Sequence, residues 1–345
     1  MVSMLRSIFN WRLRTPFYYG WLVLGITALA TFAASGLTQV VLGGVQVYIT
    51  DESGWDEGSL AYAASIGTWT SGMIAPFIGR LADRFGPRWL MPFGLVVASG
   101  AFFVIAGSNA VWQFYGGYVI GRAVSNPVLV GLVPRTAAVN FFRQRRNMAL
   151  ALVSIFRPTA GAVNIQIISL IARHQGWRAA YRYLGVLSLL IILPVVLFVR
   201  RQPEDIGLLP DGARADQAQE TTSVSRARSF TPEFSWTARE AVKTRAFWIL
   251  LIITALGTLA SAATGFSMVP YLDQDASLST ASAAGVLSFA TFLAVANLFW
   301  GYLADRITPR RCLIVMMIGA GVMMIYLMTV NSVSQALLFL SLIHI

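Results

Sequence analysis

The chain of 345 residues is 56% hydrophobic and only 12% charged, about half the charge of an ordinary soluble domain. Its one cysteine, Cys312, and its two histidines, His174 and His344, exclude an intrachain disulfide, a cysteine-rich metal site and any histidine-based catalytic motif. The formal charge of +11 would suit a nucleic-acid partner, but its distribution along the chain has another cause.

Residues 1–18 carry Arg6, Arg12 and Arg14, and an apolar run then extends from Tyr19 to Tyr48. That run outlasts the apolar core of a secretory signal, so it reads as an uncleaved first membrane helix. Further runs of about 20 residues, enough to cross the roughly 30 Å hydrocarbon core as a helix, follow at 59–78, 89–107, 111–134, 148–172 and 178–199. The polar stretch 200–245 comes next, rich in Pro, Gly, Ser, Thr and mixed charges, as befits a linker with little core of its own. Near its end, Ser235 or Thr237 followed by Glu240 predicts a short surface helix over 235–245. Apolar runs resume at 246–271, 281–300 and 312–330, and a tenth begins near Ser332. Ten-residue alternating strands are absent, so the expected class is an all-α polytopic membrane protein.

With the amino terminus in the cytoplasm and the runs alternating, 21 of 26 Lys and Arg residues fall on the cytoplasmic side. The opposite links hold only Arg173 and Arg178, beside Asp51, Glu52, Asp56, Glu57, Asp273 and Asp275. This is the positive-inside asymmetry. The basic balance is topological, and no nucleic-acid partner is expected.

One phrase occurs twice. Residues 79–89 read GRLADRFGPRW and residues 301–311 read GYLADRITPRR, seven of eleven positions matching across a separation of 222 residues. Each copy follows the second apolar run of its half, on either side of the linker. Such repetition is the plan of a transporter built from parallel repeats.

Gly79-x-Leu81-Ala82-Asp83-Arg84-x-Gly86-x-Arg88 resembles the loop 2–3 signature of the major facilitator superfamily, and the second copy resembles its degenerate form in loop 8–9. Arg122 in the fourth run, NFFRQRRNMALAL before the fifth, GWRAAYRYLG opening the sixth and AFW opening the seventh agree with that pattern. The resemblance implies an N-terminal six-helix half over 1–199, a cytoplasmic linker over 200–245 and an incomplete C-terminal half over 246–345. It also implies a multi-pass monomer in a cell membrane (a bacterial inner membrane), with no cofactor, that moves a small-molecule substrate by alternating access. In the family the doubled phrase latches the halves together. Gly79, Asp83, Arg84, Gly86, Arg88 and Arg135 would form one latch, and Gly301, Asp305, Arg306 and Arg310 the other.

Physically, the glycine would let helices approach closely, the aspartate would favour the positive end of a neighbouring helix, and the arginines would hold an anionic surface. Asp305 is thus expected near the start of the fifth run, around Asn147 and Met148, and Asp83 near Arg135. Thr308 departs from the pattern, standing where the first copy has Gly86.

All Asp and Glu residues lie outside the apolar runs, whereas Arg122 and Arg157 lie inside the fourth and fifth. A midplane arginine costs at least ~2.5–3.5 kcal/mol unless it meets a polar cavity or a partner. Ser125 and Asn126 accompany Arg122, and Ser154, Gly161 and Asn164 share a face with Arg157. Two readings stay open for these arginines: a cationic cavity that grips a carboxylate bidentately, or guanidinium groups bonded to carbonyls and polar side chains of neighbouring helices. The candidate substrate-binding residues are Arg122, Arg157, Asn126, Asn164, Gln39 and Asn297, with Tyr48, Trp69, Tyr118 and Gln46 as further lining.

RRQPEDIGLLPDG, TAREAVKTRAFW and YYGWLVLGITALATF resemble the monocarboxylate and oxalate/formate branch of the superfamily, which implies a small organic anion. The basic residue that this branch carries in its eighth helix is missing from ASAAGVLSFATFLAVANLFW. The expected function is therefore secondary transport of a small organic anion, by exchange or together with a proton. An exporter of drugs or uncharged solutes is the alternative, and a non-transporting membrane sensor a third reading. No HExxH, paired membrane carboxylates or nucleophile–base pair supports an enzyme. The last six residues, LSLIHI, stop inside the tenth run and match a translated transposon end used in sequencing libraries, so the chain reads as C-terminally truncated.

Overall fold

The computed structural model describes residues 13, 15–212, 237–274, 296–330 and 332–344. Thirteen α-helices account for most of them, and no strand occurs among the described residues. Six of the described helical segments are long and apolar enough to cross a membrane: Tyr19–Leu37, Pro87–Ala106, Val111–Phe141, Arg146–Gln175, Trp177–Phe198 and Arg310–Leu327. The chain divides into two compact units, Met1–Ala213 and Arg214–Ile345.

The first apolar run, expected as one helix, is broken. α1 (Tyr19–Ala34) passes into a 3₁₀ turn (Ser35–Leu37), and α2 (Gln39–Ser53) restarts after Thr38, whose backbone is extended at φ −82°, ψ 150°. α3 spans Glu57–Phe85 and starts from Asp56, whose carboxylate accepts the Ser59 N–H at 3.2 Å. α4 spans Pro87–Ala106. The first copy of the repeated phrase is therefore not a loop. Residues 79–85 are the last two turns of α3, and Gly86 alone joins it to α4.

Gly86 adopts φ 73°, ψ 171°, a region essentially closed to residues with a side chain. A Cβ there would also sit 2.8 Å from Arg201 Cγ. Pro87 suits the first position of α4, where its missing N–H leaves nothing unpaired.

The fourth run is longer than its apolar core suggested. α5 (Val111–Ser125) leads into a π-helical turn (Asn126–Gly131) and on into α6 (Leu132–Phe141). Pro127 has no N–H to give the regular ladder, and the extra residue of the π turn absorbs the misfit. α7 (Arg146–Gln175) and α8 (Trp177–Phe198) complete the first unit's long helices. α4 packs against α5 and α8, α3 against α5, and α1 against α7 and α8. Phe102, Phe114, Tyr118, Trp177, Tyr181 and Leu37 are fully buried between them, with Trp177 edge-on to Tyr181 and Phe114 stacked on Tyr118. Gly36, in the break, faces Leu184 and Phe102 with no room for a Cβ. At the end of the bundle rich in acids, Arg178 pairs with Glu52 at 2.6 Å and donates to the Ser108 carbonyl at 3.1 Å.

In the second unit, α9 (Ala238–Val242) starts from a capping box. The Thr237 hydroxyl accepts the Glu240 N–H, and the Glu240 carboxylate accepts the Thr237 N–H and hydroxyl, which holds that carboxyl below its usual pKa. α10 (Arg245–Gln274), α11 (Ala296–Arg306), α12 (Pro309–Leu327) and α13 (Val333–His344) follow. Most of the run expected at 281–300 lies outside the described residues. The second copy of the phrase ends α11 and reaches α12 through two residues, Ile307 and Thr308. Thr308 is extended at φ −177° and caps α12, its hydroxyl accepting the Arg311 N–H at 3.4 Å. Its departure from Gly86 is thus a different joint.

Candidate functional site

The break between α1 and α2 frees carbonyl groups that a continuous helix would pair internally, and polar side chains of three other helices converge on it. Arg122, on α5, is 4% exposed. Its Nη1 donates to the Leu37 carbonyl at 2.6 Å, and its Nε and Nη2 donate to Thr68 Oγ1 of α3 at 3.1 and 3.0 Å. One turn on, Asn126 Nδ2 donates to Ser71 Oγ at 2.9 Å. From α7, Asn164 Nδ2 donates to the Phe32 carbonyl and to Ser35 Oγ. Thr31 Oγ1 donates to the Leu129 carbonyl inside the π turn at 2.7 Å. Both helical irregularities are therefore answered by side chains of their neighbours.

Of the two readings of Arg122, this geometry is the one in which neighbours satisfy the guanidinium. Asn164, expected against substrate, is fully buried in the same framework, and Tyr118 is fully buried under Phe114. Arg157 differs. It is exposed on α7 and forms no hydrogen bond or ion pair among the described residues. Trp69 is 76% exposed and, with Thr68, Gly72 and Met73, lines an open groove of about 410 Å³ on α3. Gln39 is exposed at the start of α2. The Tyr48 hydroxyl accepts from Arg173 Nε at 2.9 Å. Asn297 lies on α11, and its side chain is outside the described residues.

At the opposite, basic end, residues 199–212 run back under the first unit as a strap. Arg201 Nη2 donates to the Asp83 carbonyl at 2.8 Å, and Asn140 Nδ2 donates to the Arg201 carbonyl at 2.9 Å. Glu204 lies 3.9 Å from Arg143. Asp211, at φ 59°, accepts the N–H groups of Arg143, Gln144 and Arg145 at 2.9, 2.7 and 3.4 Å. The backbone donors just ahead of α7, close to where Asp305 was expected, are thus held by Asp211. The Tyr18 hydroxyl donates to the Phe141 carbonyl at 2.8 Å. Burial, then the charges of Asp211 and Glu204, push that phenol's pKa well up.

The Asp83 carboxylate is exposed and makes no ion pair with Arg135 among the described residues. A Cβ on Gly79 would meet only Leu132 Cδ2, at an ordinary 3.5 Å, so the close approach lies at Gly86 instead. Arg84 and Arg306 lean over Phe85 and Tyr302 of their own helices. Gly301 is buried, Arg88 half-buried and Arg310 exposed. The side chain of Asp305 lies outside the described residues.

A family model described as Major Facilitator Superfamily matches residues 27–345. The chain belongs to the major facilitator superfamily. Among curated members, the uncharacterized MFS-type transporter YcxA of Bacillus subtilis is 26% identical over 152 residues, 43% of this chain and 36% of that protein. An MFS-type efflux pump of Mycolicibacterium smegmatis is 36% identical over 83 residues, 24% of this chain and 18% of that pump. The membrane sensor protein UhpC of Salmonella typhimurium is 26% identical over 164 residues, 44% and 36% of the two chains. The matched stretches span little more than a third of these relatives at most. The proton:xylose symporter XylE, solved with 6-bromo-6-deoxy-D-glucose, superposes with a TM-score of 0.60 at 13% identity, covering 94% of this chain and 79% of that one. That likeness fixes the superfamily fold.

Three participants escaped the reading of this superfamily chain from its residues alone. Thr68 and Ser71 stand three apart on α3, opposite Arg122 and Asn126, four apart on α5. Hydroxyls at helical spacing facing a charged helix were the available signal. Asp211 sits in PDG, which reads as a turn, and only the fold shows what its carboxylate caps.

Proposed function

We propose that this chain carries a small organic anion across the membrane by alternating access, as a monomer with its amino terminus and basic links in the cytoplasm. Arg157 carries the reading. It lies eleven residues into α7, about 16 Å along the helix at 1.5 Å per residue, where a guanidinium without a partner is costly. Arg122 has partners in Leu37 and Thr68; Arg157 is available to a carboxylate, which arginine grips through two parallel hydrogen bonds. The exposed Asp83 carboxylate, with Gly79, Arg84, Gly86 and Arg88, is retained as one face of a conformational latch, and Gly301, Asp305, Arg306 and Arg310 as the other.

The test is uptake of labelled oxalate into proteoliposomes preloaded with unlabelled oxalate or formate. Charged hydrogen bonds are worth about 1.5–3 kcal/mol, so Arg157→Ala should weaken apparent affinity roughly 10- to 100-fold, with Arg157→Lys in between. Uptake that needs an internal counter-anion marks exchange, whereas uptake driven by a pH gradient alone marks proton coupling. Unaltered uptake in Arg157→Ala would overturn the anion reading. Export of an apolar solute would then stand, a reading favoured by the exposed Trp69 and Met73 groove and by the matched mycobacterial efflux pump.

A further inference from the structure

Residues 237–248 lead from the linker into the first long helix of the second unit, and they are more than a link. α9 (Ala238–Val242) has five residues, too few for a helix to hold itself in water, yet both its ends are fastened. At its start the capping box turns the Glu240 carboxylate back onto the Thr237 N–H and hydroxyl, at 2.9 and 2.7 Å. At its end the Trp248 indole N–H donates to the Val242 carbonyl at 2.8 Å, across a bend at Lys243 and Thr244. Thr244 fixes the same bend. Its hydroxyl donates to the Ala241 carbonyl at 2.7 Å and accepts the Phe247 N–H at 3.2 Å.

Arg239 and Lys243 stand four apart, on one side of α9, with Val242 beside them, and Arg245 opens α10. All three cations are exposed, and none forms an ion pair among the described residues. The acid of α9, Glu240, is engaged in its cap. Val242 and Trp248 are apolar, yet 43% and 50% exposed. The depth suits a bilayer surface. Arg245 heads an apolar helical segment that runs to Leu259, and Arg239 lies about 9 Å before it at 1.5 Å per residue. That is comparable to the headgroup layer on one face of a bilayer. Topology accounts for basic residues near a span. It does not account for a short helix fastened at both ends, with an indole bonded beside its cations.

We propose that residues 237–248 are a site for anionic phospholipid. Arg239, Lys243 and Arg245 take lipid phosphates, and Val242 and Trp248 seat among the glycerol and upper acyl groups. An indole with its N–H satisfied and its ring exposed suits that layer, and clustered basic residues are drawn to anionic leaflets. The occupant is a lipid rather than soluble phosphate, because the apolar pair gains nothing from an ion in water.

The test uses the full chain with Cys312→Ser and Ala246→Cys, labelled with bimane at position 246, which is exposed beside Arg245. Phosphatidylcholine nanodiscs carry a small fraction of phosphatidylglycerol or phosphatidylcholine with a nitroxide near the top of one acyl chain. Phosphatidylglycerol should quench several-fold more strongly at equal mole fraction. A basic residue near an anionic surface contributes about fivefold. Arg239→Gln and Lys243→Gln should therefore each lower the preference by up to about fivefold, while Arg239→Lys retains it. Salt at about 1 M should suppress it. Trp248→Phe keeps every charge but unpins the bend, and should lower the preference too. Thermal melts confirm that each variant is folded. Equal quenching by the two lipids overturns the site. So does a preference that both Gln variants leave intact, since other cations then select the lipid. A preference unchanged in Trp248→Phe reduces the site to loose charge and overturns it. Inorganic phosphate at matched ionic strength should not compete; competition would assign the cluster to a free anion and overturn the lipid.

Discussion

Arg122 and Arg157 look alike in the sequence, each an isolated cation within an apolar run. They differ in what meets their donors. Arg122 spans from the Leu37 carbonyl to the Thr68 hydroxyl, a reach that the planar fork of arginine makes and the single ammonium of lysine does not. Arg122→Lys should therefore lower the melting temperature in detergent, by a loss of about 1.5–3 kcal/mol, whereas Arg157→Ala should leave it nearly unchanged. Glycines divide in the same way. Gly86→Ala forces a side chain into a backbone region costing about 1–3 kcal/mol and against Arg201. Gly79→Ala meets ordinary contact in a helix interior and should gain about 0.5–1 kcal/mol. Thermal unfolding of the pair, read by tryptophan fluorescence, should move in opposite directions. The sequence marked both glycines alike because residue type reveals neither φ nor the neighbour across the gap.

Helices proved easier to find than to delimit. Apolar length located α4 and α8 to within two residues, because a membrane span needs about 20 apolar residues. It misplaced the ends of α3 and α6, whose stretches beyond the apolar runs carry Arg80, Asp83, Arg84 and Arg135. Charge marks where lipid stops, whereas a helix stops only where its backbone hydrogen bonds do, here at Gly86 and Phe142. The α1–α2 break was hidden for the complementary reason: Ser35, Gly36 and Thr38 are small enough to leave the apolar run intact. The strap from Arg200 to Gly212 belongs to this scale too. Asp211→Ala removes the acceptor of three consecutive N–H groups ahead of α7, a loss of about 1 kcal/mol by the standard of helix caps. Faster amide hydrogen exchange at 143–145, with α8 unaffected, would show it. Unchanged exchange would mean that water serves those amides equally well.

At the scale of the molecule, charge and fold point the same way. Arg80, Arg84, Arg143, Arg145 and Arg201 gather at one end of the first unit, while Asp51, Glu52 and Asp56 lie at the other. In a Cys312→Ser background, a cysteine at exposed Asp56 should react with an impermeant maleimide outside intact cells, and one at exposed Gln202 only after permeabilisation. The reverse pattern would invert the proposed orientation. The superfamily was legible in the doubled phrase, whose two copies stand 222 residues apart on either side of the linker. The substrate left a fainter mark, because a guanidinium serves a carbonyl and a carboxylate with the same donors.

The single residue between α3 and α4 has a mechanical meaning. Gly86 ties α3 to α4, α4 lies packed along α8, and Arg201, just beyond α8, reaches back across the joint to the Asp83 carbonyl. Three struts connected in this way make a triangle, the one frame that cannot shear while its corners hold. α3 therefore cannot rock independently of α4 and α8; it swings with them as one truss, or it swings after Arg201 lets go.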